Sequence, residues 1–204
     1  MIIDRVDEEF LLFSLRPNGR WASRWTGSVS AGVAGAWILD LLLEGRIRIH
    51  DGRIEPRGKS SLDDPVLDSI LDQIRAARRP RKVATWVTRL SRRTGRRTLQ
   101  VMHRLEERGF VERHGRRFPQ HSPGGRRDIR QHLLEVIQGR QIPGDETIAL
   151  LGLLEAAGMT RFVFRGHARQ ARRAIARLVE GHERVATVAH AVRRRRLRRF
   201  LPLV

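Results

Sequence analysis

The sequence of 204 residues contains no cysteine, and only Lys59 and Lys82 are lysine. Without cysteine there is no disulfide framework, no thiolate zinc ligand and no thiol nucleophile. Long apolar runs are missing too. The longest, Val33 to Leu43, is 11 residues and contains Asp40, against roughly 20 for a membrane-spanning helix. The N-terminus, Met1-Ile2-Ile3-Asp4-Arg5, lacks the basic-then-apolar order of a signal peptide. Also absent are a Walker loop, a dinucleotide-binding glycine fingerprint, His-Glu-x-x-His and Gly-x-Ser-x-Gly. Eight histidines are present, but none pairs with a carboxylate at metal-ligand spacing. No nucleophile, base and orienting group come together, so no enzymatic activity, metal or cofactor is expected.

What the chain has is arginine. Lys and Arg total 41 against 22 Asp and Glu, a formal net charge of +19. Residues 75–130 hold 18 basic and 4 acidic side chains, residues 181–204 hold 7 and 1, and the remainder is nearly neutral. A folded protein whose charge is confined to segments has a directional field that attracts polyanions such as nucleic acid, an anionic membrane or phosphorylated ligands. At 40% hydrophobic residues the chain is apolar enough for a core, and one domain over 1–204 is the simplest division. Residues 193–204 form an Arg-rich tail, expected to be disordered or to contact a membrane.

Most of the chain reads as helix, giving a mainly α fold with a helical core, surrounding amphipathic helices and two small β-hairpins. Expected helices cover about 7–15, 30–44 with Ser28 or Ser30 as cap, 65–74, 82–91, 96–108, 128–138, 145–157, 167–180 and 183–199. Asp63-Asp64-Pro65 is a helix start, its carboxylates complementing the helix N-terminus. The first hairpin is Arg46 to Glu55 around Asp51-Gly52. The second is Phe110 to Phe118 around His114-Gly115. Gly124-Gly125 reads as a break. Trp37 and Trp86 have core spacing, and His103 reads as a core histidine.

Two basic surfaces are candidates for binding. The Arg-rich helix from Arg96 followed by the hairpin has the order of a winged helix-turn-helix, which directs Arg96, Arg97 and Arg104 toward phosphates or base edges. The tail places Arg193, Arg194, Arg195, Arg196, Arg198 and Arg199 around Leu197, suited to an anionic bilayer.

Glu8 to Leu15 (EEFLLFSL), Ser30 to Ile47 (SAGVAGAWILDLLLEGRI) and Asp64 to Leu71 (DPVLDSIL), taken together and in this order, resemble the Golgi phosphoprotein 3 family, including its bacterial members. Leu105-Glu106-Glu107-Arg108-Gly109 and Ile148 to Ala157 fall where that family has later helices, so the resemblance spans about residues 7–180. It implies a helical core encircled by amphipathic helices, with a hairpin that mediates self-association, here through Phe110, Val111, Arg117 and Phe118. Eukaryotic members bind phosphatidylinositol 4-phosphate through a Trp and several basic residues, and they engage cytosolic tails of Golgi enzymes. The Trp matches Trp25, beside Arg24. The first Arg falls on Ala34 and does not carry over; the other two basic positions fall near Gly95 and Thr98, with Arg92, Arg93, Arg96 and Arg97 close by. The expectation is a peripheral protein on the cytosolic face of a membrane that recognises anionic phospholipid or phosphoinositide headgroups. Nucleic acid and acidic peptide segments are the alternative partners.

Overall fold

A computed structural model describes residues 5–198 apart from 17, 22–25, 59, 116 and 120–122. The elements in chain order are helix α1 (Val6–Ser14), helix α2 (Thr26–Leu43), strands β1 (Ile47–His50) and β2 (Arg53–Pro56), and helix α3 (Pro65–Arg75). Strand β3 (Arg81–Lys82) then leads into helices α4 (Val83–Ser91), α5 (Gly95–Glu107) and α6 (Pro123–Ile137). The chain ends in α7 (Asp145–Ala156), the single turn α8 (Thr160–Val163), α9 (Ala168–Glu180) and α10 (Glu183–Leu197). The fold is mainly α.

Helix α2 is the axis of the molecule. Val33, Ala34, Trp37, Ile38 and Leu41 are all buried, and α1, α4, α7 and α10 pack around it. Its small residues explain how so many neighbours fit. A Cβ at Gly32 would lie 2.0 Å from the Phe10 ring of α1, and one at Gly35 would lie 2.6 Å from Val192 of α10 and 2.8 Å from Leu153 of α7. Overfilling such contacts costs about 1–3 kcal/mol. Helix α7, apolar on every side, is buried through Ile148, Leu150, Leu151, Leu153 and Leu154 as its composition requires.

The first hairpin forms as its turn residues dictate. Asp51 and Gly52 both adopt positive φ, 48° and 67°, the conformation of a type I′ turn, and His50 pairs with Arg53. The sheet has a third strand, because Arg81–Lys82 pairs with β2 in antiparallel register. The second hairpin is much reduced: His114 and Arg117 form an isolated bridge, and Glu112 N–H donates to the Pro119 carbonyl at 2.9 Å.

Several boundaries differ from expectation. Helix α2 begins at Thr26, so Ser28 lies inside it. Helix α6 begins at Pro123 and includes Gly124-Gly125; a Cβ at Gly125 would come within 2.7 Å of the Phe110 ring. That glycine therefore serves packing inside a helix, where its permissive backbone suggests a break. The predicted 183–199 helix extends to Leu197, so the Arg-rich tail begins within a helix that packs on α2, α4 and α7.

One feature overturns the outward assignment of Arg104. Asp7, Glu8, Asp40 and Asp64 are buried together, and Arg5, Arg104 and Arg108 converge on them. Arg104 donates to Glu8 and Asp7 at 3.1 Å each and also to Asp64. Arg108 reaches Glu8 at 2.6 Å, while Arg5 holds Asp7 at 3.1 Å and Asp64. Asp64 meanwhile caps α3, accepting from Val66 and Leu67 N–H at 2.8 Å. Asp40 performs a similar service from α2 for α1, accepting from Val6 and Asp7 N–H at 2.9 and 3.1 Å. Four carboxylates share three guanidiniums, so one acid is left in excess. Burial first, then the charge of Asp7, raises the pKa of Asp40 well above its ordinary value. Glu8 is shifted the same way, again chiefly by burial.

Candidate functional site

A cavity of 330 Å³ opens between the first turns of α2 and α5. Val29, Ser30 and Val33 form its α2 wall, Thr94, Gly95, Thr98 and Leu99 its α5 wall, and Trp21 closes one side. Trp21 is brought there by a tight return of the chain after α1. Leu15 and Trp21 pair as an isolated antiparallel bridge, and Arg16 N–H donates to the Arg20 carbonyl at 2.9 Å. Between them Gly19 has φ of +71° and accepts from Phe118 N–H at 3.0 Å. A Cβ there would collide with Pro119 N at 2.1 Å, so glycine is required twice over.

The cavity walls are mostly apolar, and arginines adjoin its lining residues Thr94, Gly95 and Thr98 in the chain. Arg92, Arg93 and Arg96 are exposed in the α4–α5 turn and the start of α5, whereas Arg97 is half-buried and donates to Ser69 Oγ at 2.9 Å. Burial and the neighbouring Arg93 both lower the pKa of Arg97. Leu99 is an exposed large hydrophobe, 45% accessible. An apolar mouth beside several cations suits an amphiphile with a phosphate-bearing head: guanidinium forks hold phosphate oxygens, and the indole and leucyl side chains meet hydrocarbon.

The remaining sequence-derived sites fall as follows. Trp25, Arg24 and Arg199 lie outside the described residues. Phe110, Val111 and Phe118 are buried inside the protomer, leaving Arg117 exposed on the reduced hairpin. In the tail segment, Arg193 pairs with Glu155, Arg195 donates to Ser91 Oγ at 3.2 Å, and Arg196 is half-buried with a pKa lowered by that burial. Arg194 and Arg198 are exposed. His103 is not a core residue; it is exposed and 3.3 Å from Glu106, because α5 turns Val101, Met102 and Leu105 inward instead. Among the described residues, no group of three or more His, Asp or Glu is arranged to hold a metal ion. No helix among them is long and apolar enough to cross a membrane.

A family model described as Golgi phosphoprotein 3 (GPP34) matches residues 6–196. The chain belongs to the Golgi phosphoprotein 3 family. The match covers α1 through nearly all of α10, so the cavity, the 75–130 arginine-rich segment and Arg193 to Arg196 lie within the Golgi phosphoprotein 3 region, and Arg198 and Arg199 lie past its end. Of the positions at which the family resemblance implies basic side chains, Gly95 and Thr98 line the cavity, while Ala34 is buried beside the lining residue Val33. Nothing lies within 4 Å of where a Gly95 Cβ would be. Trp21, Thr94 and Leu99 are lining residues that sequence reasoning did not single out. For Trp21 a signal existed in Asn18-Gly19, a pair of turn residues: the Leu15–Trp21 pairing brings this aromatic residue back to the end of α1.

Proposed function

We propose that this Golgi phosphoprotein 3 family member is a binding protein that associates reversibly with the cytosolic face of anionic membranes. The anionic headgroup of a phosphoinositide or other lipid would meet the arginines around the start of α5, with apolar parts of the lipid against the cavity between α2 and α5. The observation that carries this reading is the apolar cavity with Trp21 and Leu99 at its edge and Arg93, Arg96 and Arg97 alongside. Near-surface cations contribute about 1 kcal/mol each to binding an anionic bilayer, and the aromatic and leucyl groups add insertion into the interface.

Co-sedimentation with phosphatidylcholine vesicles, with and without phosphatidylinositol 4-phosphate, tests it. Wild-type protein should sediment with the phosphoinositide vesicles. Trp21→Ala combined with Arg96→Ala and Arg97→Ala should weaken that binding by about tenfold or more. Undiminished sedimentation of the triple variant defeats the assignment. Self-association through the 110–118 hairpin belongs to the same proposal. With Phe110, Val111 and Phe118 already committed inside the protomer, the contact would fall on Arg113, His114 and Arg117.

A further inference from the structure

From Ala156 to Val179 the chain has no Asp or Glu, yet Arg161, Arg165, Arg169, Arg172, Arg173 and Arg177 all fall within it. The fold gathers four of them. A groove of 710 Å³ between α8 and α9 is lined by Arg161, Arg165, Arg169 and Arg172, with His167 and Gln170 between them. All four guanidinium-bearing residues are exposed, and none forms an ion pair with a described carboxylate. Elsewhere in the protein, acids are set against arginines, as at Arg104 and Arg193. Here the charged side chains lining the one groove are all arginines.

The surroundings add to the positive field. Arg165 lies over the Phe162 ring at 5.8 Å, and Arg126 of α6 lies over that ring at 5.3 Å and over Phe13 at 5.5 Å. Arg126 donates to the Leu15 carbonyl and Arg130 to the Val163 carbonyl, each at 2.9 Å, so both are held by neutral oxygens. Burial, then the charges of Arg130 and Arg165, lowers the pKa of Arg126 to about 10. At the other end of the groove, Arg172 is close enough to Arg196 of α10 to help lower its pKa as well.

We propose that the α8–α9 groove is a phosphate-binding site, separate from the α2–α5 cavity, which takes a phosphate monoester or short polyphosphate through Arg161, Arg165, Arg169 and Arg172. Several guanidiniums converging on one concavity exceed what a single carboxylate can neutralise, and their forks match tetrahedral phosphate oxygens. Exposed arginines dominate the lining, which favours a hydrated polyanion over a lipid tail. The phosphate can come from a lipid headgroup or from a soluble polyphosphate. The inference does not depend on the membrane reading, because it uses different residues on different helices.

Calorimetric titration of the full chain with inorganic tripolyphosphate is the test. Wild-type protein should bind; Arg165→Gln with Arg169→Gln and Arg172→Gln should lose about tenfold or more in affinity; and Arg96→Gln with Arg97→Gln should lose clearly less than that. Arg169→Gln alone, a single exposed change, should show a smaller loss with an unchanged melting temperature. Flotation with phosphatidylcholine vesicles containing phosphatidic acid separates the sources. Loss of flotation in the groove variant identifies a headgroup, whereas loss of tripolyphosphate binding alone identifies a soluble ligand; either supports the site. The proposal is overturned if tripolyphosphate does not bind, if the groove variant binds it undiminished, or if the α5 variant loses as much. Tighter, groove-dependent binding of a duplex oligonucleotide than of tripolyphosphate would also overturn it, in favour of a nucleic-acid backbone.

Discussion

Arg104 on α5 and Arg169 on α9 are the same residue type on helices of equal length, and they do opposite things. Arg104 is drawn inward onto Asp7, Glu8 and Asp64, and with Arg5 and Arg108 it ties α1, α3 and α5 together. Arg169 is exposed in a groove whose lining holds three further arginines, a histidine and no acid. The difference lies in the partners that the fold supplies. An arginine beside buried acids is part of the scaffold, and its removal strands charge in the interior. An arginine among arginines adds nothing to the scaffold and is available to an outside anion. The net charge of +19 counts both kinds alike.

This contrast can be broken in a defined order. The largest effect is expected from Arg104→Ala, which leaves Asp7, Glu8 and Asp64 short of a partner. Breaking a buried pair in this way costs about 3–5 kcal/mol, to be read from urea unfolding. If stability falls by less than about 1 kcal/mol, the network is not the structural tie described here.

Next comes pH. The native pKa of Asp40 is raised above its ordinary 3.8, so its contribution to stability is complete below that value and is lost as pH rises through the native one. The stability of wild type relative to Asp40→Asn should therefore fall as pH rises above 3.8, by about 1.4 kcal/mol for each unit by which the native pKa is raised. A difference that grows with pH would contradict the burial-driven shift.

The smallest effect belongs to Arg193→Ala. Its partner Glu155 is largely covered, but the guanidinium side chain is 46% exposed, and an ion pair of that kind contributes about 0–1 kcal/mol. A loss comparable to that of Arg104→Ala would erase the distinction between the two classes of arginine.

Much of the architecture was legible because its signals are local. The Asp51-Gly52 turn, the proline after Asp64 and the uniformly apolar run of α7 each specify an element by themselves. Strand β3 was not legible: two residues carry no alternation, and Arg81–Lys82 becomes a strand only because β2 offers it an edge. Helix α8, a single turn, has no periodicity to read. Gly124-Gly125 misled for a related reason, since only the distant Phe110 ring reveals why glycine sits within α6. At the candidate site, the cluster from Arg92 to Arg97 was visible as a charge run, whereas the cavity it borders depends on a loop closing back onto α1. The α8–α9 arginines were hidden differently. Glu135, Asp145, Glu146, Glu155 and Glu180 flank them in sequence and cancel much of their charge in a sum over the region, but the groove is lined by none of these acids. Arg104, finally, gave no sign of its inward turn, because its partners lie more than 90 positions earlier at Asp7 and Glu8.

The glycines of α2 have one more consequence. Gly32 and Gly35, three residues apart and so neighbours on the helix surface, cut adjacent keyways into it, with the Phe10 ring of α1 seated in the first and Val192 of α10 in the second. The helix that carries the buried carboxylates Asp7 and Glu8 and the helix that ends in the arginine run are thus indexed to the same few residues of a shared shaft. Neither can slide along it without unseating from its notch, so the spacing between the acidic knot at one end of the chain and the cationic band at the other is machined into α2 itself.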